Sequence, residues 1–334
     1  MPYIPLARCQ FLIPFADIHS TTGASTESLL EKFNLPAFLH GKEDSYVPIK
    51  KGIHFIESAA RTQGIPDFGH LAAKHVGFEH WNENSRAAIL NSPTLFYALR
   101  SVCGRSHIDA TNLSMHLEFH GNSLRVCSRL HDTEGMQHLE HSQWLQNILP
   151  VEIVRLFADT SWAPETIAFE ARYTPSLAVQ GLWPKTRFLS NQKISWIDIP
   201  LQYLGLPPVV PEKLIHSAGM QVPDRSIQLV DSLKMMLPSY LDGKIPKINE
   251  IAEMANTSAR SLQRMLAIAG LSYREIINIT KFEKASQILK TTDIKIIDIA
   301  LSLGYSDHAH FTRAFQKIAG ISPLQFRVFN RARL

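Results

Sequence analysis

The sequence is short of cysteine. Only Cys9, Cys103 and Cys127 occur in 334 residues, with no Cys-x-x-Cys spacing. That argues against a disulfide framework or a cysteine-built structural zinc site, and for a reducing compartment, the cytoplasm. Any run of about eighteen apolar residues is also missing, so no membrane-spanning helix is expected. The opening stretch MPYIPLARCQFLIPFADIHS makes a poor secretory leader, because Pro14 and Asp17 interrupt it and no clean small-residue cleavage site follows. Nor is there a GxGxxG, P-loop, GxSxG or HExxH, so the common signatures of nucleotide and hydrolase chemistry are absent. Neither a cofactor nor an enzymatic role is expected.

What is there has the balance of a globular protein, with 45% hydrophobic and 19% charged residues and length enough for two domains. The net charge of +4 is unevenly placed. From Gln221 onward sixteen Lys/Arg stand against ten Asp/Glu, whereas the rest of the chain holds eighteen against twenty. The basic surplus therefore lies in the last third, as expected of a nucleic-acid-binding end attached to something else.

The stretch LGLPPVVPEKLIHSAGMQVPDR is rich in proline and separates two differently patterned regions. It places a linker near 205–223, between a first domain of 1–215 and a second of 224–330. In the first, STESLLEKF and IKKGIHFIESAARTQG have helical spacing, with Ile53, Ile56 and Ala60 on one face. LSMHLEFHGNSLRVCSRL alternates as two strands around Gly121-Asn122-Ser123. Leu113, Met115, Leu117 and Phe119 share one face of the first strand; Ser114, His116, Glu118 and His120 share the other. TIAFEARYTP alternates likewise, with Ile167, Phe169, Ala171 and Tyr173 together. Helices mixed with antiparallel strands predict an α+β domain.

The second region reads as short helices throughout. SIQLVDSLKMMLPSYL sets Ile227, Val230, Leu233 and Leu237 on one stripe, and YREIINITKFEKASQILK is a longer helix burying Ile276, Ile279, Phe282, Ala285 and Leu289. IAEMANTSARSLQRMLAIAGLS (251–272) and IALSLGYSDHAHFTRAFQKIAGIS (299–322) repeat one pattern about fifty residues apart. Each has a short helix, a turn at Asn256 or Gly304, and a second helix starting near Ser258 or Ser306. That is the shape of a helix-turn-helix, here duplicated. Leu262, Met265, Leu266 and Ala269 form the apolar face of one second helix; Phe311, Ala314, Phe315 and Ile318 form that of the other. Opposite them lie Arg260 and Arg264 in the first, and Ala309, Arg313 and Gln316 in the second, with Gln263 and Thr312 on equivalent flanks. Arginine beside a short hydrogen-bonding residue suits guanine reading and phosphate anchoring in a major groove. The plainer alternative is a solvated helix face, or a protein-binding adaptor joined to a small-molecule-binding or enzymatic domain. An adaptor predicts apolar stripes where this sequence places arginines.

These residues carry a resemblance. LQRML, then IIDIALSLGYSDHAHFTRAFQKIAGISPLQFR, resembles the DNA-binding domain of AraC/XylS-type transcriptional regulators, over roughly Asp224 to Arg327. The resemblance implies two helix-turn-helix units joined by a long helix and addressing successive major grooves of double-stranded DNA. It places Arg260, Gln263 and Arg264 on the first reading helix, and His308, Ala309, His310, Thr312 and Arg313 on the second. Two positions depart from the family: Ser272-Tyr273 stands where Ser-Pro is usual, and Lys281 where arginine is commoner. Both departures are expected to act locally, on phosphate contacts. Residues 15–205 are more loosely similar to the arabinose-binding-type effector domain, through GIPDFGHLAAKHVG, NSPTLFYALRSVCG and IAFEARYTPSLAVQGLWPKTRF. That implies effector sensing or dimerisation, a small-molecule effector and a homodimer, with RNA polymerase as a further candidate partner. It leaves the effector and its residues unknown.

Other candidate chemistry is thin. Asp307, His308 and His310 look like metal ligands, but on a helix the two histidines project about 200° apart. Asp307 is expected to cap the helix with Ser306. His116, Glu118 and His120 share a strand face and could ligate a metal, though such an alternation is more often a solvated face. Cys103 near His107 lacks an orienting third group. Phe55, Phe68, Phe78, Trp81, Phe96, Tyr97, Trp144, Trp162 and Trp183 could line a pocket, yet each singly reads as core. Lys74 or Arg100 could hold an acidic effector, with nothing to single either out. No metal site is expected.

Overall fold

The computed structural model describes residues 3–78, 81, 83–209 and 228–331. Most of the expected linker, 210–223, lies outside the described residues, as does Ile227 of the expected helical stripe. The chain gathers into two compact units. One comprises Met1–Ile4, Leu30–Pro48 and Ser226–Leu334; the other comprises Pro5–Leu29 and Ile49–Arg225.

The second of these is α+β. Its five-stranded sheet runs in the order Leu113–His120, Ser123–Leu130, Ser195–Pro200, Thr166–Ala168, Arg187–Leu189. The hairpin register runs from Leu113↔Leu130 to His120↔Ser123. Its loop is therefore Gly121-Asn122 alone, with Gly121 at φ 56°, and Ser123 belongs to the ladder. Leu113 and Met115 are buried as the alternation requires, but Phe119 at the hairpin tip is 65% exposed. Two other strand expectations change. The strand expected through Tyr173 stops at Ala168, and the backbone beyond it bonds to Leu189 at the end of the neighbouring strand and to the loop that follows. There the Phe169 N–H donates to the Leu189 carbonyl, and the Gln192 and Asn191 N–H groups donate to the Phe169 and Ala171 carbonyls. Its pairing with Arg187–Leu189 is parallel, not antiparallel.

Helices Leu95–Asp109 and Glu140–Phe157 pack against this sheet, and Phe68–Ala73 crosses close to the latter. Trp144 is fully buried among aromatic neighbours: the Phe169 ring centroid lies 5.2 Å away and that of Trp183 6.4 Å. Trp144 Nε1–H donates to the Tyr173 hydroxyl at 2.9 Å, which in turn donates to Asp67. Of the aromatic residues singled out in the sequence, Trp144 and Trp183 pack together here, whereas Tyr97 is 53% exposed.

The other unit is helical: Leu229–Met236, Ile248–Met254, Ala259–Ile268, Tyr273–Thr291, Ile296–Ser302, His308–Ala319 and Pro323–Arg331. Its first helix buries Leu229, Leu233 and Met236 and runs on into buried Leu237 and Tyr240. Residues 30–48 belong to the same unit. Lys42 Nζ reaches Asp242 Oδ1 at 2.5 Å and the Ser239 carbonyl at 2.8 Å. The Tyr240 hydroxyl donates to the Asn34 carbonyl at 3.0 Å, and the Ser239 hydroxyl to the Tyr46 carbonyl at 2.9 Å.

One glycine sets how closely two helices of the α+β unit approach. A Cβ at Gly69 would lie 2.4 Å from His141 Cα and 2.7 Å from its carbonyl oxygen, while the Gly69 N–H donates to His141 Nδ1 at 3.1 Å. A methyl group there must push backbone away from backbone. Gly69→Ala is expected to destabilise this unit by about 1–3 kcal/mol or more, read as a lowered midpoint in chemical denaturation followed by tryptophan fluorescence.

Candidate nucleic-acid interface

Both turn-helix units are built by the same local devices. In the first, Ile248–Met254 buries Ile251, Ala252 and Met254, and the chain reverses through Asn256 at φ 49°. The Ser258 hydroxyl then accepts the Ser261 N–H at 3.1 Å and opens the helix Ala259–Ile268. In the second, Ile296–Ser302 leads into Gly304 at φ 70°. Asp307 Oδ1 accepts the His310 N–H at 2.6 Å and opens His308–Ala319. Each turn needs a left-handed residue, which Gly adopts freely and Asn tolerates. Each cap satisfies an otherwise orphaned N–H. The His310 bond, first among its causes, holds the exposed Asp307 carboxyl below the usual carboxylate range. Asp307 is thus a cap, as its sequence position suggested, and the second helix starts just past Ser306.

Burial fixes the outward face. Leu262 and Leu266 are 0% and 1% exposed, and Phe311 and Phe315 are 2% and 1%. The Phe315 ring lies 4.9 Å from Phe282 of the joining helix Tyr273–Thr291 and 5.3 Å from Phe326. With those side chains inward, Arg260, Gln263, Arg264, His308, Ala309, His310 and Arg313 are all exposed. Thr312 differs: it is half-buried, with Oγ1 enclosed and lacking a hydrogen-bond partner. Ala269 and Ile318, expected on the apolar faces, are exposed instead. They lie in the last turns, past the residue pairs that meet the core.

The two departures from family pattern have structural roles. Tyr273 begins the joining helix and donates its hydroxyl to the Pro246 carbonyl at 2.6 Å. That ties the helix start to the segment leading into the first unit. Lys281 Nζ sits 4.6 Å from the Tyr305 ring centroid, and burial pulls its pKa down. Tyr305 also meets the His310 ring edge-on at 5.4 Å. Lys281 therefore braces the second turn, a role the sequence did not suggest. Between the joining helix and His308–Ala319 lies a concave space of about 710 Å³, lined among others by Arg274, Asn278, His310, Arg313 and Lys317.

The other candidates lie in the α+β unit. Cys103 is half-buried, and burial pushes its thiol up to about 12, the opposite of an activated nucleophile. Lys74 and Arg100 are exposed. His116, Glu118 and His120 are exposed on the edge strand of the sheet, and the first two, but not His120, gather with Cys127 of the next strand. Among the described residues no helix is long and apolar enough to cross a membrane.

Comparison with known proteins sets this geometry in a family. A helix-turn-helix domain model matches residues 251–328, and the model of the arabinose-binding domain of AraC transcription regulators matches residues 23–180. The chain is 35% identical to the probable transcription factor PqrA of Proteus vulgaris, over 24% of this chain and 67% of that one. It is 30% identical to the ornithine utilization regulator of Pseudomonas aeruginosa, over 41% of this chain and 42% of that one. Against the HTH-type transcriptional regulator VirS of Mycobacterium tuberculosis the identity is 21%, over 97% of both chains. With its N-terminal and C-terminal models in this order and two thirds of PqrA matched at that identity, the chain belongs to the AraC-type family of helix-turn-helix transcriptional regulators.

Proposed function

We propose that this chain reads a specific double-stranded DNA sequence by laying the helices Ala259–Ile268 and His308–Ala319 into successive major grooves. The observation that carries this reading is the pairing of two capped turn-helix units whose buried faces leave arginine outward on each second helix. In it, Arg264 and Arg313 contact base edges, with Arg260, Gln263, His308, Ala309 and His310 beside them. Thr312, half-buried with its hydroxyl enclosed, flanks them. Arg274, exposed at the start of the joining helix and lining the concave space, anchors a phosphate. Region 1–215 senses a small-molecule effector or mediates a homodimer, the linker near 205–223 carries its state to the reading helices, and RNA polymerase is the further partner. The protein works in the cytoplasm and performs no catalytic step. Effector binding acts by favouring one of two arrangements, which requires different affinity for each.

The test uses the full chain, because residues 30–48 pack on the helical unit. A duplex selected from random sequence supplies the site. Arg264→Ala and Arg313→Ala should each weaken specific binding by roughly 1–3 kcal/mol and relax selectivity at one position. Unchanged affinity and selectivity in both variants would remove these side chains from the reading role.

A phosphate contact behaves differently. Binding should weaken linearly on a log–log plot of affinity against salt, with a slope of about −0.9 per phosphate neutralised. Arg274→Ala should lower affinity about equally for all sequences and reduce that slope by about one. A loss confined to the selected site would make Arg274 a base reader instead.

A further inference from the structure

The outer face of the sheet holds a second chemistry. His116 and Glu118 lie two apart on the edge strand and so share a face. In the register His116 stands opposite Cys127 of the next strand, and residues directly opposite in a ladder point the same way. A nitrogen of His116, a carboxylate oxygen of Glu118 and Sγ of Cys127 all lie within 4.8 Å of one another. His120, which the strand alternation groups with them, stands four residues on, about 13 Å along the strand from His116. The cluster that forms is therefore a cross-strand one.

We propose that His116, Glu118 and Cys127 bind a divalent transition-metal ion of the zinc class, with a fourth position open to water or a small ligand. One imidazole, one carboxylate and one thiolate are the mixed donors such ions take. Bonds of about 2.0–2.3 Å at tetrahedral angles put ligand atoms roughly 3.3–3.7 Å apart. Closing the set needs about an ångström of movement, which the exposed His116 and Glu118 side chains can supply while buried Cys127 stays in place.

The surroundings suit a cation. Arg125 pairs with Glu118 in the ladder, yet its guanidinium turns away to Asp198 Oδ1 at 3.2 Å and lies 3.9 Å from the Trp196 ring centroid. Among the described residues no basic group ion-pairs with Glu118, whose carboxylate accepts the Cys127 thiol at 3.9 Å. On the other side of Cys127, Trp196, Ala168, Leu189 and Ile194 form an apolar wall, the kind of dry flank that strengthens coordination. Burial, and then Glu118, push the thiol up to about 11, so it keeps its proton at neutral pH until a cation displaces it. On binding, that proton passes to solvent, and the ion's two positive charges meet one thiolate and one carboxylate. The Arg125–Asp198 pair beside the site is itself neutral. The site does not depend on the DNA reading.

The test is spectroscopic and needs no DNA. Metal-free full-length protein is titrated with Co²⁺ in a non-thiol reductant, then with Zn²⁺. One equivalent of Co²⁺ should give thiolate-to-cobalt charge-transfer absorption, which Zn²⁺ abolishes. His116→Ala and Glu118→Gln should weaken Co²⁺ binding by more than the roughly 10–100-fold that loss of an outer-shell partner costs. Cys127→Ser should lose the charge-transfer band, while His120→Ala and Cys103→Ala leave the titration unchanged. Because Cys127 is buried, the exposed His116 and Glu118 variants decide the matter if Cys127→Ser fails to fold. Absence of the band in the unaltered protein would overturn the site. So would unchanged affinity in both the His116 and Glu118 variants.

Discussion

Everything outward about the helical unit depends on what is held inward. Phe311 and Phe315 are all but fully buried, and Phe315 meets Phe282 of the joining helix and Phe326 of the last one. That aromatic contact fixes the rotation of His308–Ala319 about its own axis. A helix so clamped cannot choose which residues face solvent: Arg313, two positions from each phenylalanine, is turned out about 200° away from both. Leu262 and Leu266 do the same for the first reading helix with smaller side chains. The reading faces are thus a consequence of packing, and the arginines need no contact of their own to be presented.

The two units solve one backbone problem with different residues. Asn256 and Gly304 both take left-handed φ, and Ser258 and Asp307 both cap the following helix. The second unit is further braced by Lys281 against Tyr305, and by Tyr305 against His310. The first is tied instead through Tyr273 to the Pro246 carbonyl. His310, though exposed, consequently has two attachments, its N–H to Asp307 and its ring to Tyr305, whereas for the equally exposed His308 no such attachment is found among the described residues. The sequence DHAH, at first sight a ligand cluster, divides into a cap, an open side chain and a braced one.

Much of this is legible in the amino-acid sequence alone. The internal repeat and most of the buried stripes follow from residue periodicity and the caps from residue type, so the helices from Tyr273 to Ala319 fall where the sequence puts them. What periodicity does not convey is partnership between distant segments. Nothing in residues 30–48 announces that Lys42, Asn34 and Tyr46 bond to Asp242, Tyr240 and Ser239. The alternation of TIAFEARYTP promises a longer strand, but its backbone groups find the 189–192 loop first. Alternation along one strand likewise groups His120 with His116 and Glu118, where the register supplies Cys127 instead. The signal for that is present in RVCSR, but only a known register reveals which residue stands opposite His116. Thr312 and Lys281 mark the same limit, since whether a flank residue faces out depends on neighbours from other helices.

The central claim is that two reading helices, each oriented by its buried face, enter DNA on one side. Methylation-interference mapping of the full chain on its selected duplex tests it most directly, because modified guanine N7 atoms report major-groove contact base by base. The account predicts two clusters of interfering guanines on one face of the helix, about one turn or 10–10.5 base pairs apart. A single cluster, two clusters on opposite faces, or interference confined to minor-groove adenines would contradict it.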